Sequence, residues 1–466
     1  MCLTGCKKLV DIDPPTNRIS SENVYTTDAT AISVMTGVYT KMSNNSFAFV
    51  TGANSVSILT ALSSDELILA GGSNNSNKTF FNFFSNQVTN LESEPWQGLY
   101  ACLYTVNTAL EHLSNSTFLT PAIQRQLIGE AKFIRAFCYF YLINLYGDVP
   151  MVLTSDYRVN TNASRSAQSS IYQQIISDLK DAQQLLSETY LDVSLLNPSQ
   201  ERVRPSKWAA TALLARVYLF TEDWVNAEVQ ASIMIDNSSI FLLSTLDESF
   251  LKASMGNKEA IWQLQPVNSG LNTEDAQLFI LAGIPGNTYP IFLDTLLVKS
   301  FEAGDARRSN WVKDTIFSNS IINYSYAYKY KIPSGNFPVN EYLMVLRFAE
   351  QYLIRAEART QQNNLLGAIT DLDKIRQRAS LPLLSVTNPS ITKESLLNTI
   401  LHERQVELFT EWGHRWLDLK RTSNVDAVMS IVTPLKGGTW NPNWALYPIP
   451  TTDLKYNPNI SQNPGY

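Results

Sequence analysis

Ala212-Leu213-Leu214-Ala215-Arg216-Val217-Tyr218-Leu219 runs on to Trp224-Val225-Asn226-Ala227, which places two alanines, Ala215 and Ala227, twelve residues apart. The same spacing returns at Ala356 and Ala368, within Tyr352-Leu353-Ile354-Arg355-Ala356-Glu357-Ala358 and Leu366-Gly367-Ala368. A methyl group at each crossing lets two antiparallel helices approach closely, so each stretch reads as a helical hairpin. The two copies are not tandem. The segment between them, about residues 240 to 340, reads as a loop-rich insertion, and loops on a rigid helical frame are where binding residues are usually placed.

Outward from these hairpins, helical periodicity dominates. Leu99, Cys102, Leu103, Val106 and Leu110 recur at steps of three and four, with Trp96 at the start behind Pro95; Leu127, Ala131, Ile134, Phe137, Cys138, Phe140 and Tyr141 do the same. Further amphipathic stretches fall near residues 28 to 42, 168 to 188, 206 to 221, 224 to 236, 342 to 361, 365 to 379 and 392 to 413. The last starts near Thr392, with Glu394 in its first turn. Strand signals are short, as at 260 to 264 and 447 to 449. The expected fold is mostly α: an α-superhelical domain with tetratricopeptide-like hairpins and a loop-rich face. A second loop-rich stretch, Gly71 to Glu94, carries Asn74, Asn75, Asn77, Phe80, Phe81, Phe83 and Phe84.

Composition bounds the function. The 466 residues are enough for one large domain or two smaller ones. With 36 Lys and Arg against 42 Asp and Glu, the formal charge of -6 disfavours a general nucleic-acid binder, which needs a basic surface. The longest charge-free run, residues 42 to 64, holds Asn44, Asn45, Gly52 and Asn54, too polar for the ~20 apolar residues of a spanning helix. Charged residues are 17% of the chain and aromatic ones 11%, a palette suited to neutral polar ligands. Of four cysteines, Cys102 and Cys138 read as core. Leu3-Thr4-Gly5-Cys6 has the form of a bacterial lipoprotein cleavage box, with Cys6 as the acylated residue. The charged and apolar regions of such a leader are expected upstream. The alternative is a chance cysteine.

Catalytic signatures are mostly missing. Gly71-Gly72-Ser73-Asn74-Asn75-Ser76-Asn77-Lys78 lacks the second Gly and the Ser or Thr of a phosphate loop. His402-Glu403 is followed four residues after the histidine by Val406, so the second ligand of a zinc-protease helix is missing. Three histidines in all make a histidine or thiolate metal centre improbable, and calcium held by oxygens stays open. Glu403, Arg404, Glu407, Glu411, Arg415, Asp418 and Arg421 share one helix and its exit. Two of those carboxylates could serve a glycosidase. Their interleaving with arginines favours a structural ion-pair network.

In order along the chain, the segments resemble the SusD/RagB family of Bacteroidota nutrient-uptake lipoproteins. The resemblance runs from Cys6 to Pro15 through Trp96-x-x-Leu99-Tyr100 with Asn107 and Gly129 to Ala136. Its most diagnostic part is Leu145-Tyr146-Gly147-Asp148-Val149-Pro150. It continues through Ala212 to Leu219, Gly304-Asp305-Ala306-Arg307-Arg308, Leu353 to Ala358 and His402-Glu403-Arg404-x-x-Glu407-Leu408, ending at Gln462 to Tyr466.

What the resemblance implies is a non-enzymatic binding protein on the cell surface of the outer membrane. It would be anchored through Cys6 and use no cofactor or metal. It would capture oligosaccharides, or peptides in the RagB branch, and deliver them to a SusC-like TonB-dependent barrel. Residues 1 to 27 would form the anchor and an extended segment, and residues 28 to 466 a single domain. Family sites lie in variable loops, where this chain offers Asp65, Asn74, Phe81, Phe84 and Trp96 early, and Tyr289, Trp311 and Tyr324 later. Trp96 reads equally as a core anchor and the phenylalanines as packing under their loop.

Overall fold

The computed structural model of the protein describes residues 24–466 except 90, 92, 93, 319, 334 and 336. Cys6, the expected lipid attachment site, and Cys2 lie outside the described residues. The folded body already includes Tyr25, which is buried and stacked on His112 with ring centroids 5.0 Å apart.

Helices α1 (Asp28–Ser43) and α2 (Val56–Ser63) begin at Thr27 and Ser55, whose hydroxyls accept the Thr30 and Ile58 N–H groups. Such caps satisfy donors that a first turn leaves open. The strand β1 (Leu67–Leu69) leads to a short helix, α3 (Lys78–Phe84), inside the stretch expected to be loop. It forms because Asn77 accepts the Phe80 N–H at 3.0 Å while Phe80, Phe83 and Phe84 share a buried face. The long helices α4 (Trp96–Asn115) and α5 (Pro121–Tyr146) carry the two strongest periodicities, with Cys102 and Cys138 buried as free thiols. Gly147 stops α5 at φ 74°, where a side chain would be strained, and a Cβ there would come within 3.0 Å of Leu446.

The chain turns back through β2 (Val149–Pro150), α6 (Tyr157–Asn160) and β3 (Arg165–Ser166) into α7 (Gln168–Leu185). The first hairpin is α8 (Lys207–Phe220) and α9 (Trp224–Ile235). The insertion then carries β4 (Ala260–Leu264), α10 (Glu274–Phe279), β5 (Ile291–Leu293), α11 (Thr295–Ser300), α12 (Ala306–Asn310), β6 (Val312–Thr315) and β7 (Tyr324–Ala327). Next come β8 (Leu343–Arg347) and the second hairpin, α13 (Phe348–Gln361) and α14 (Leu365–Arg378). The chain closes with α15 (Lys393–Glu407), α16 (His414–Arg421), α17 (Val425–Leu435) and α18 (Thr451–Tyr456).

Each long helix packs on its successor: α4 on α5, α5 on α7, α7 on α8, α8 on α9, α9 on α13 and α13 on α14. The two hairpins are thus neighbours in space, and the insertion loops out between them. Ala215, Ala227, Ala356 and Ala368 are all fully buried, as the twelve-residue spacing requires. Arg216 of the first hairpin is held by Glu350 of the second through two bonds of 2.7 Å.

Three expectations are corrected. The helix read over 342 to 361 is a strand followed by a helix: Leu343 and Met344 pair with Leu264 and Gln263, and α13 begins only at Phe348. The helix read over 392 to 413 ends at Glu407, and Thr410, Trp412 and Gly413 take positive φ to start α16. The extended run Tyr447 to Ile449 joins no sheet. Its amides instead bond the Leu145 carbonyl (2.8 Å) and the Gln462 side chain (2.7 Å).

Candidate functional site

Two loop regions far apart in sequence meet at one corner. Strand β1 pairs antiparallel with β5, Leu67 opposite Leu293 and Leu69 opposite Ile291, and the Ala70 N–H continues the ladder to the Pro290 carbonyl at 2.7 Å. Gly71 and Gly72, at φ 78° and 50°, turn the chain sharply beyond β1. The turn is then fixed from inside: buried Asn75 donates to the Ala70 carbonyl (2.8 Å) and accepts from the Asn77 N–H (2.9 Å). From outside, the Lys78 ammonium donates to the Ser73 and Asn75 carbonyls. Asn287 accepts the Ser76 N–H at 3.0 Å, which ties this turn to the loop ahead of β5.

Asn74 is exposed on the turn, and Phe81 is half-buried on α3 just after it. Half-buried Tyr289 lies against Gly283, where a Cβ would stand 2.7 Å from its ring; the bare glycine backbone is what lets the ring settle there. On β5 the Phe292 ring meets Tyr324 of β7 edge-on at 5.2 Å, and Phe317 approaches Tyr324 from the other side at 6.3 Å. Of the expected set, Asn74, Phe81, Tyr289 and Tyr324 thus lie on segments that the β1–β5 pairing and the Phe292–Tyr324 contact join. Among the described residues the Tyr289 and Tyr324 hydroxyls bond no other protein group. Asn287, Phe292 and Phe317 join them without having been singled out in the sequence. Their signal lies in strand pairing across more than 200 residues, which no local pattern carries.

The other expected residues sit elsewhere. Asp65 is buried under the corner, its carboxylate gripped by Arg415 at 2.7 and 2.8 Å. Burial pushes its pKa up, and the guanidinium outweighs that to hold it below the usual carboxylate range. Its neighbour Glu66, buried and beside the Asp65 charge, is pushed up to about 8. Phe84 is core. Trp311 is fully buried, its indole donating to the Leu246 carbonyl at 2.8 Å, with the cations of Lys329, Arg347 and Arg378 within 5.0 to 5.6 Å of its ring. The expectation that Asp65, Phe84 and Trp311 face a ligand is therefore corrected: each has its surface taken up by protein. Trp96 shares no contact with the corner set and lines a separate cavity.

The carboxylates of the 403 to 418 segment are paired, mostly by arginines from other elements. Arg307 reaches Asp305 (2.7 Å), Glu403 (2.6 Å) and Glu407 (3.1 Å). Arg347 reaches Glu259 (2.6 Å), Glu407 (2.5 Å) and Glu411 (2.9 Å), and Arg378 bonds both Glu259 and Glu407. Burial opposes ionisation of Glu407, and three arginines override it, keeping the group well below the ordinary range. Among the described residues, only the Arg404–Asp418–Arg421 chain lies within residues 403 to 421. These groups hold the insertion onto α15. Among the described residues no cluster of three His, Cys, Asp or Glu stands as a metal-binding set, and no helix is long and apolar enough to cross a membrane.

The helical hairpins thus carry a loop corner of aromatic edges, amides and hydroxyls. A family model described as starch-binding associating with outer membrane matches residues 26–219, and a model of the SusD family matches residues 251–466. The chain belongs to the SusD family. It is 26% identical to a SusD-like protein of Formosa agariphila over 515 residues, covering 100% of this chain and 98% of that one. A SusD superfamily crystal structure from Bacteroides vulgatus shares the fold with TM-score 0.80 at 22% identity, covering 94% of this chain and 99% of that one. A laminarin-binding SusD-like protein aligns with TM-score 0.75 and 22% identity over the same shares.

Proposed function

We propose that this chain is a non-catalytic surface receptor that captures oligosaccharides at the loop corner and passes them to a SusC-like TonB-dependent barrel. One observation carries the reading. Two remote segments, carrying Asn74 and Phe81 on one side and Tyr289 and Tyr324 on the other, adjoin through β1–β5 pairing, and their aromatic faces would suit the apolar sides of sugar rings and their amides the hydroxyls. The family description and the laminarin-binding structural neighbour support the ligand class. Pairing of Glu403, Glu407 and Glu411 with buried cations supports a binding role over hydrolysis, since a glycosidase needs carboxylates free to exchange protons.

Calorimetry with neutral oligosaccharides tests this reading. Tyr289→Ala and Tyr324→Ala are each expected to weaken binding about tenfold, with little change between low and moderate salt because no ion pair forms. Unchanged affinity in both variants removes the corner from the site, and a steep salt dependence points to a charged ligand such as a peptide.

The same proposal makes residues 1 to 27 an anchor and extended segment ahead of one domain, with Cys6 acylated. Two or more acyl chains would exceed the threshold for stable membrane attachment. Expressed with a complete leader in a native host, the protein is expected in the membrane fraction, where gentle detergent extraction recovers it with the barrel. Cys6→Ala is expected in the soluble fraction. A membrane-bound Cys6→Ala variant overturns the anchor, and recovery of the wild type alone overturns the partner.

A further inference from the structure

The cavity that Trp96 lines lies between α4, α6 and α18, has a volume of about 490 Å³ and shares no lining residue with the loop corner. Trp96, Tyr100 and Tyr104 fall at steps of four on α4 and form one stripe along it. Tyr157 of α6 and Tyr456 at the end of α18 complete an aromatic wall, with Pro150, Val152 and Ile460 beneath. Three of these rings stay largely in water: Tyr104 is 57% exposed, Tyr157 72% and Tyr456 75%. Solvent-exposed rings converging on one opening do nothing for the core.

Hydrogen bonds made by the lining residues themselves fix the walls of the cavity. Glu111, further along α4, accepts from the Thr154 hydroxyl (2.7 Å), the Ser155 N–H (2.8 Å) and the Ser155 hydroxyl, which fixes the loop after β2. Asn160 donates to the Thr154 carbonyl at 2.8 Å. Asn457 and Asn459 donate to the Ala163 and Asn162 carbonyls at 2.8 and 2.9 Å, fastening the end of the chain to the same loop. Tyr100 donates to the Pro150 carbonyl at 2.8 Å. A site formed before its ligand arrives loses little entropy on binding.

Several polar groups on its walls have no use in the fold. The indole N–H of Trp96 is buried behind the wall, without a hydrogen-bond partner among the described residues. Among the described residues, the hydroxyls of Tyr104, Tyr157 and Tyr456 bond nothing, and the Asp453 carboxylate meets only the Thr452 hydroxyl at 3.2 Å, with no cation in ion-pair reach. Of the nearby cations, Arg158 is taken by Asp156, and Lys455 forms no ion pair among the described residues.

We infer that this cavity is a second ligand site, separate from the loop corner, for one or two rings of a neutral saccharide. The inference rests on the oligosaccharide reading given above. Tyr104, Tyr157 and Tyr456 supply faces for ring stacking and free hydroxyls as donors, and Asp453 accepts from sugar hydroxyls. A quaternary ammonium would use the rings and the carboxylate but none of the free donors, and the volume falls in the range of sites for whole small molecules.

Calorimetric titration of the full chain with neutral disaccharides and longer oligosaccharides, alongside tetramethylammonium, tests the inference. Wild type is expected to show two sites. Tyr157→Ala with Tyr456→Ala is expected to weaken one by tenfold or more and leave the other, while Tyr289→Ala with Tyr324→Ala does the reverse. Asp453→Asn is expected to weaken the cavity site alone. All five residues are at or near the surface, so folding is checked simply by circular dichroism. A single site abolished by the corner pair and untouched by the cavity pair overturns this inference and keeps the corner. A single site lost only in the cavity pair overturns the corner instead, together with the claim of a second site. Tetramethylammonium binding that depends on Asp453, with sugar binding unaffected by the cavity variants, overturns the sugar assignment. No sugar binding by the wild type overturns both readings.

Discussion

Replacing Arg307 by Met is expected to cost about 3–5 kcal/mol of stability, the usual result of removing one member of a buried ion network. Arg307 is fully buried and stands between Asp305, Glu403 and Glu407. Burial works against its charge, and the surrounding carboxylates reverse the balance so that it stays protonated. Methionine fills similar volume but leaves three acidic groups with fewer partners in a medium where an unpaired charge is poorly tolerated. Glu407 keeps Arg347 and Arg378, whereas among the described residues Glu403 keeps only the 3.3 Å contact with Arg376. Adding Glu403→Gln to the variant is therefore expected to restore part of the loss. Urea unfolding followed by far-ultraviolet circular dichroism measures both. A loss under 1 kcal/mol for the single variant means that the network contributes little.

Asp275→Asn is expected to act in the opposite direction and to depend on pH. Asp275 is buried beside Phe279, Lys329, Tyr330 and Glu411, and its Oδ1 has no hydrogen-bond partner among the described residues. Burial first, then the charges of Glu274 and Glu411, push its carboxyl up from 3.8 to about 7. In the unfolded chain the group ionises near 3.8, so between that value and 7 the unfolded state releases a proton that the folded state keeps. Its full stabilising share is present below pH ~4 and is lost as pH rises through about 7. Asparagine does not titrate. The variant should match the wild type near pH ~4 and exceed it above pH ~7 by about 4 kcal/mol, from a rise of roughly 3 units at ~1.4 kcal/mol each. Equal destabilisation at both values would mean that the carboxyl is ionised and paired in the folded state.

The hairpins were legible in sequence because a helix crossing is a local demand: Ala215 and Ala227, or Ala356 and Ala368, must be small whatever lies elsewhere, and the spacing repeats it in one dimension. Periodicity likewise marked α4 and α5, whose buried faces recur every three or four residues. It misread residues 343 to 347, since a run buried on every side has no polar face to set its period. Leu343 to Leu346 became a strand because β4 lay ready to pair with it. The ordered family motifs proved to be largely scaffold chemistry. Asp305 and Arg307 in one, with Glu403 and Glu407 in another, are two halves of a single buried network.

The binding surfaces were decided by tertiary structure. Aromatic residues in loops could be picked out in sequence, but whether a ring faces water depends on what the fold places over it. Trp311 was drawn inside by three cations and a carbonyl, while Tyr289 stayed at the surface on a bare glycine. Tyr104, Tyr157 and Tyr456 were invisible as a set because they come from three segments that share no local pattern and meet only when the C-terminal helix closes against α4. Sequence alone determined the helical frame, where the physical constraint acts between residues three to twelve apart. The corner and the cavity belong to the folded chain, because the contacts that build them span up to about 350 residues and no local preference encodes them.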